Sequence, residues 1–120
     1  MGVGCRSSGL ITSDGTIVSG RCKLVSIHGF NQAVNSAGNP GNSAIKLVLY
    51  DNASAASGKV VAQLVVGTAE QAISGAGTPN SIESDMHSVI CENGLYANVT
   101  IPTGVVGTTG NLSGFTVEFA

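Results

Sequence analysis

Residues 44–66 constrain this chain more than any other stretch. They read Ala-Ile-Lys-Leu-Val-Leu-Tyr, then Asp51-Asn52-Ala53-Ser54-Ala55-Ala56-Ser57-Gly58, then Lys-Val-Val-Ala-Gln-Leu-Val-Val. Two β-type runs flank a loop of small residues, which is the sequence form of a hairpin or a sheet corner. Side chains alternate along a strand, so Ile45, Leu47 and Leu49 point to one side, with Lys46, Val48 and Tyr50 opposite. In the second run Val60, Ala62, Leu64 and Val66 share a face.

The rest of the chain follows the same grammar. The 17 glycines recur at short intervals between β-branched runs. Only residues 68–73 have helical flavour, and Gly75 and Gly77 stop them at once. Strands are predicted over 16–18, 21–30, 45–50, 59–66, 85–91, 95–101 and a last run in which Phe115, Val117 and Phe119 share a face. In 21–30 the even positions are Cys22, Leu24, Ser26, His28 and Phe30, and the odd ones include Lys23, Val25 and Ile27. Neither set is cleanly polar. A strand covered on both sides by the N-terminal segment or a neighbouring subunit would read this way. Glu92-Asn93-Gly94 carries the strongest short hairpin signal and launches the alternation of Leu95, Ala97, Val99 and Ile101. Polar loops are predicted over 31–42, 67–84 and 104–114.

These features predict an all-β fold: a two-sheet β-sandwich, jelly-roll-like, with seven or eight short strands. With 120 residues the chain is one domain. Residues 1–19 read as an N-terminal arm with a short strand, and residues 20–120 as the sandwich.

Hydrophobic residues make up 42% of the chain but aromatics only 4%, so Val, Ile, Leu and Ala must build the core, helped by Phe30, Phe115 and Phe119. Charged residues are 10%, against roughly 25% in an ordinary soluble domain. A surface so poor in charge suits coverage by other subunits. The rival reading is a Ser/Thr/Asn/Gly surface kept soluble by hydrogen bonds. The five cations, Arg6, Arg21, Lys23, Lys46 and Lys59, are scattered, which argues against direct nucleic-acid binding. No apolar run approaches the roughly 20 residues that span a bilayer, so no membrane role is expected. No signal peptide is visible. Cys5, Cys22 and Cys91 make an odd count, which argues against a closed disulfide framework. Cys22 and Cys91 sit in apolar contexts that suit buried thiols. One bridge plus one free thiol would be compatible with any of the three pairings.

Chemistry is sparse. Glu83, Asp85 and His87 fall on one face of a strand and could hold a divalent ion, but the spacing matches no specific ligand motif. Glu83 and Asp85 fall at a loop-to-strand junction, where an ordinary polar edge is the simpler reading. His28 reads as a packing or solvent-facing histidine. A nucleophile pair of Cys91 with His28 or His87 has no elbow or oxyanion loop around it. Asn98-Val99-Thr100 is a formal glycosylation acceptor that reads most simply as strand. No helix follows any glycine-rich segment, so a phosphate cradle is not expected. No catalytic, cofactor-binding or metal-binding residue is assigned, and the expectation is a protein that is not an enzyme.

Leu49-Tyr50-Asp51-Asn52, the small-residue loop and Lys59-Val60 resemble a recurring segment of small virion proteins of tailed bacteriophages. Glu92-Asn93-Gly94-Leu95-Tyr96 and the strand after it resemble a second landmark of those proteins. The resemblance covers residues 44–66 and 89–120, about half the chain. It implies a structural role as a capsid cement or decoration protein, made in the host cytoplasm and resident in the virion. The implied partners are the major capsid protein and further copies of the chain as a homotrimer. An N-terminal arm containing Cys5, Arg6, Leu10 and Ile11 would reach onto the capsid or a neighbouring subunit. Two alternatives accompany it: a tail- or fibre-associated glycan-binding module, with Tyr50 and Tyr96 as the stacking candidates, and a head–tail or tail-tube component.

Overall fold

A computed structural model describes residues 4–31, 44–67, 81–100 and 113–120. Within them lie eight strands: β1 (Arg6–Ser7), β2 (Gly15–Ser19), β3 (Cys22–Asn31), β4 (Ile45–Tyr50), β5 (Val60–Val66), β6 (Ser81–Cys91), β7 (Gly94–Thr100) and β8 (Ser113–Phe119). They form two four-stranded sheets, A in the order β1-β8-β3-β6 and B in the order β2-β7-β4-β5. All pairings are antiparallel. The predicted all-β, two-sheet sandwich is the observed architecture.

The strand order is that of a rolled-up antiparallel ribbon. β4 and β5 are its closed end, and the successive pairs β3·β6, β2·β7 and β1·β8 fall alternately on sheets A and B. This is the eight-stranded jelly roll of two Greek keys. The core lies between the sheets. Sheet A contributes Leu24, Ile27, Cys91, Phe115 and Val117; sheet B contributes Ile45, Leu47, Leu49, Leu64, Val66 and Leu95. The inward faces read from β4 and β8 are the observed ones, except that Phe119 is half-buried at the rim. Gly29 allows close approach of the sheets: a Cβ there would meet Phe115 Cδ1 at 2.9 Å and Leu64 Cδ2 at 3.0 Å.

Several predicted details change. β3 is two-faced because it bulges. Leu24 pairs with Phe119 and Ser26 with Glu118, so Val25 has no partner on β8. The extra residue switches the inward set from Cys22 and Leu24 to Ile27, Gly29 and Asn31. Phe30, expected in the core, lies half-buried on the other face. A bulge within one chain therefore accounts for the pattern that had suggested a covering subunit. On the β6 side, Met86, His87 and Ser88 stand opposite Val25 alone. His87 (φ 51°) and Ser88 (φ 59°) take left-handed backbone there. Asn31 belongs to β3, and residues 81–84 belong to β6. Val60 leaves the core face, because the β4·β5 register shifts between Leu49 and Tyr50.

Glu92-Asn93 is not a hairpin loop. β6 is in sheet A and β7 in sheet B, so the turn carries the chain from one sheet to the other. Positive φ is needed only at Gly94. The segment read as an arm runs along both sheets: β1 pairs with β8, Ile11 bridges to Phe115, and β2 pairs with β7. Cys5 is exposed. The predicted helical flavour at 68–73, Ile101 and most of the three long loops lie outside the described residues.

Candidate functional site

The outer faces of the two sheets differ in chemistry. The strands of sheet B contain one charged side chain, Lys46. The strands of sheet A contain Arg6, Lys23, Glu83, Asp85 and Glu118, together with His28 and His87. Across the outer face of B the register sets Lys46 between Val65 and Thr100, Val48 between Gln63 and Asn98, and Tyr50 beside Tyr96. Val48 is only 8% exposed although it points away from the core, because these neighbours cover it. Val65 is 55% and Val60 42% exposed on β5, the edge strand.

Tyr50 and Tyr96, widely separated in sequence, are direct cross-strand partners and half-buried. Tyr96 also faces Thr16, whose hydroxyl donates to Ala53 O at 2.9 Å. The pair thus sits at the end of sheet B under the 51–58 loop.

Asp51 organises that end. Its Oδ2 accepts from Glu92 N at 3.0 Å, and its Oδ1 accepts from Asn93 N at 2.7 Å and Gly94 N at 3.3 Å. Hydrogen bonding from Asn93, with Glu92 and Gly94 adding to it, holds its carboxyl below the usual range. Asn52 orders the loop from within. Its Oδ1 accepts from Ser54 N and Ala55 N, and its Nδ2 donates to Ser57 O. The Asp51-Asn52 and Glu92-Asn93-Gly94 landmarks are therefore one hydrogen-bonded unit. The charge of Asp51 is spent on the turn rather than offered to a ligand.

On sheet A, Glu83, Asp85 and His87 all lie in β6, and the bulge takes His87 out of step with Glu83 while its Nδ1 stays 3.9 Å from Asp85 Oδ1. Asp85 accepts from the His87 backbone N–H at 2.8 Å. No metal-binding group of three or more His, Cys, Asp or Glu occurs among the described residues. Instead, Glu83 meets His28: His28 Nε2 lies 3.1 Å from Glu83 and 3.1 Å from Glu118, and Ser26 Oγ donates to Glu118 at 2.8 Å. His28 is mid-strand on the outer face of A, while Cys91 is inside the core, so no Cys–His pair forms. Burial pushes the Cys91 thiol up to about 12, the reverse of an activated nucleophile. Asn98 is in β7, where Asp14 accepts from its Nδ2 at 3.1 Å and from Val99 N at 2.7 Å.

Two features escaped sequence reading. Asp14 caps the β7 ladder beyond the start of β2, and an Asp-Gly before a β run was its only trace. Asn31 is buried: its Nδ2 donates to Gly67 O at 3.2 Å and its Oδ1 accepts from Ser113 Oγ at 2.9 Å. Asn at the head of a polar run reads as loop, so nothing in the sequence marked it. Comparison of the chain with protein-family models, with characterised proteins and with solved structures gives no match.

Proposed function

We propose that this chain is a non-enzymatic structural protein of a tailed-phage particle, a capsid cement or decoration protein that binds between major capsid subunits. The observation that carries the reading is the charge-poor outer face of sheet B, set against the polar face of sheet A. Jelly rolls serve viral capsids and lectins alike, so the fold admits the role without selecting it. Four strands about 4.8 Å apart and about 21 Å long make a face of roughly 400 Å². A standard interface uses about 800 Å² per partner. One face alone therefore binds weakly, and several copies held together on a repeating lattice bind strongly through effective concentration.

Self-association belongs to this reading. The Val25 bulge removes the reason for a subunit covering β3, so threefold assembly no longer follows from that strand. The edge strand β5 offers another seat. Val60-Val61-Ala62-Gln63-Leu64-Val65-Val66 is nearly palindromic about Gln63. Antiparallel pairing with β5 of a second copy would keep core face on core face.

The test is co-sedimentation of the purified chain with particles of the virus that encodes it, alongside light scattering. Binding that is lost in Val65→Glu and Thr100→Glu supports the proposal. A stable monomer that ignores the particles overturns it. The Tyr50–Tyr96 pair favours a second reading, a glycan-binding module on a tail or fibre. Glycan binding abolished by Tyr50→Ala or Tyr96→Ala would put that reading first.

A further inference from the structure

We infer that Cys22 and Cys91 form a redox-closable pair, in which Cys22 is the entry point for a small disulfide of the glutathione class and Cys91 resolves it. The observations are positional. Cys22 and Cys91 are direct partners in the β3·β6 ladder, at the end of sheet A. Directly opposed residues have Cβ atoms about 4.5–5.5 Å apart, and a disulfide needs about 3.5–4.5 Å, so closure asks for a small approach and no change of register. Each thiol is close enough to the other to shift its titration. Cys5, the third thiol, is exposed at the start of the described chain, and its strand neighbour β1 pairs with β8 rather than with β3 or β6.

The two thiols are not equivalent. Cys91 is completely buried, whereas Cys22 is 7% exposed. Cys22 lies in the wall of an open pocket of about 310 Å³ lined by Arg21, Lys23, Ile90 and Ala120. Lys23 stands at its rim beside Arg21, which is paired with Glu92 at 3.3 Å, so access is set by the pocket's opening rather than by charge. Burial raises both thiols, and the neighbouring Cys91 offsets part of the rise at Cys22. Cys22, the less buried of the two, is thus the one a reagent from solvent meets first.

The chemistry balances in two exchanges. The Cys22 thiolate attacks one sulfur of the small disulfide, the S–S bond breaks, and one small thiolate leaves. Cys91 then gives up its proton and attacks the Cys22 sulfur, and the second small thiolate leaves. The two protein thiols lose two protons and two electrons, and the small disulfide is reduced to two thiols. The product cross-links β3 to the edge strand β6 beside the Asp51-held turn and closes a loop of about 70 residues, which constrains the unfolded chain strongly. A reducing cytosol keeps the pair open and oxidising surroundings close it. The inference is independent of what the outer faces bind.

The experiment uses the full chain with Cys5→Ser, so that only this pair can react. Oxidised glutathione is added to the folded protein, followed by intact mass, peptide mapping and thermal unfolding. The expected product has lost two hydrogens, yields a Cys22–Cys91 linked peptide, and melts about 10 °C higher, reversibly with dithiothreitol. With Cys91→Ser added, the glutathione adduct should accumulate on Cys22. A parent protein that keeps both thiols, retains the adduct, or closes the bridge with a lower melting point overturns the inference. Should Cys91→Ser fail to fold, the three parent readouts decide alone.

Discussion

Replacing Asp51 tests the link between the two halves of the sandwich. Its carboxylate accepts from the backbone N–H groups of Glu92, Asn93 and Gly94, with distances of 3.0, 2.7 and 3.3 Å. Hydrogen bonds to a charged acceptor contribute about 1.5–3 kcal/mol each when well formed. The site is half exposed, and the longest of the three is weak. Two bonds at the low end of the range put Asp51→Ala at about 2–4 kcal/mol. Asp51→Asn keeps one oxygen but turns an amide donor toward Glu92 N–H, and should cost about 1–2 kcal/mol. Urea unfolding of a small domain has a slope of about 1–3 kcal/mol per molar, so the Ala variant should lose about 1 M in midpoint. The pH dependence provides a second check. The folded-state pKa of Asp51 lies below its unfolded value, so the native state holds this proton less readily. Its contribution is complete above the unfolded value of about 3.9 and fades as pH falls through the lower folded value. The gap between wild type and Asp51→Asn should therefore be widest near neutrality and shrink in acid. A midpoint unchanged within about 0.2 M in Asp51→Ala, or a gap that grows in acid, would refute this role of Asp51.

Gly94→Ala should destabilise by about 2–4 kcal/mol in the same assay, because φ is 144° and the new Cβ meets Val18 O and comes within 3.2 Å of Ala53 Cα. Asn31→Ala leaves the Ser113 hydroxyl and Gly67 carbonyl short of a buried partner, at about 1–3 kcal/mol by urea unfolding. Deleting Val25 leaves Leu24, Ser26 and Ile27 in unbroken alternation along β8, so that variant should fold. Deleting His28 instead turns one half of β3 inside out and should abolish the folded amide spectrum by NMR.

Regular strands were the legible part of the fold. β4 and β8 alternate strictly, and Ile45, Leu47, Leu49, Phe115 and Val117 are where period two places them. Legibility failed wherever a strand gained a residue. The Val25 bulge reversed the faces of β3, and the register shift at the β4·β5 loop end moved Val60 outward. One unpaired residue leaves no mark in composition, because its cost is met by contacts with two other strands. The chemical candidates failed for a related reason. Glu83, Asp85 and His87 satisfy period two on paper, but the ladder gives Glu83 to His28, and the bulge leaves His87 beside Asp85 alone.

Alternation and the spacing of turn residues, both local properties, determined that this chain is all-β and which faces of its regular strands are apolar. Charge scarcity, a property of composition, set the kind of surface. Which strands pair is a contest among distant segments for backbone partners and apolar cover, and only the tertiary structure resolved it. That contest made the Asn-Gly turn a crossing between sheets, gathered charge onto one face and tyrosines onto the other, and set Cys22 beside Cys91.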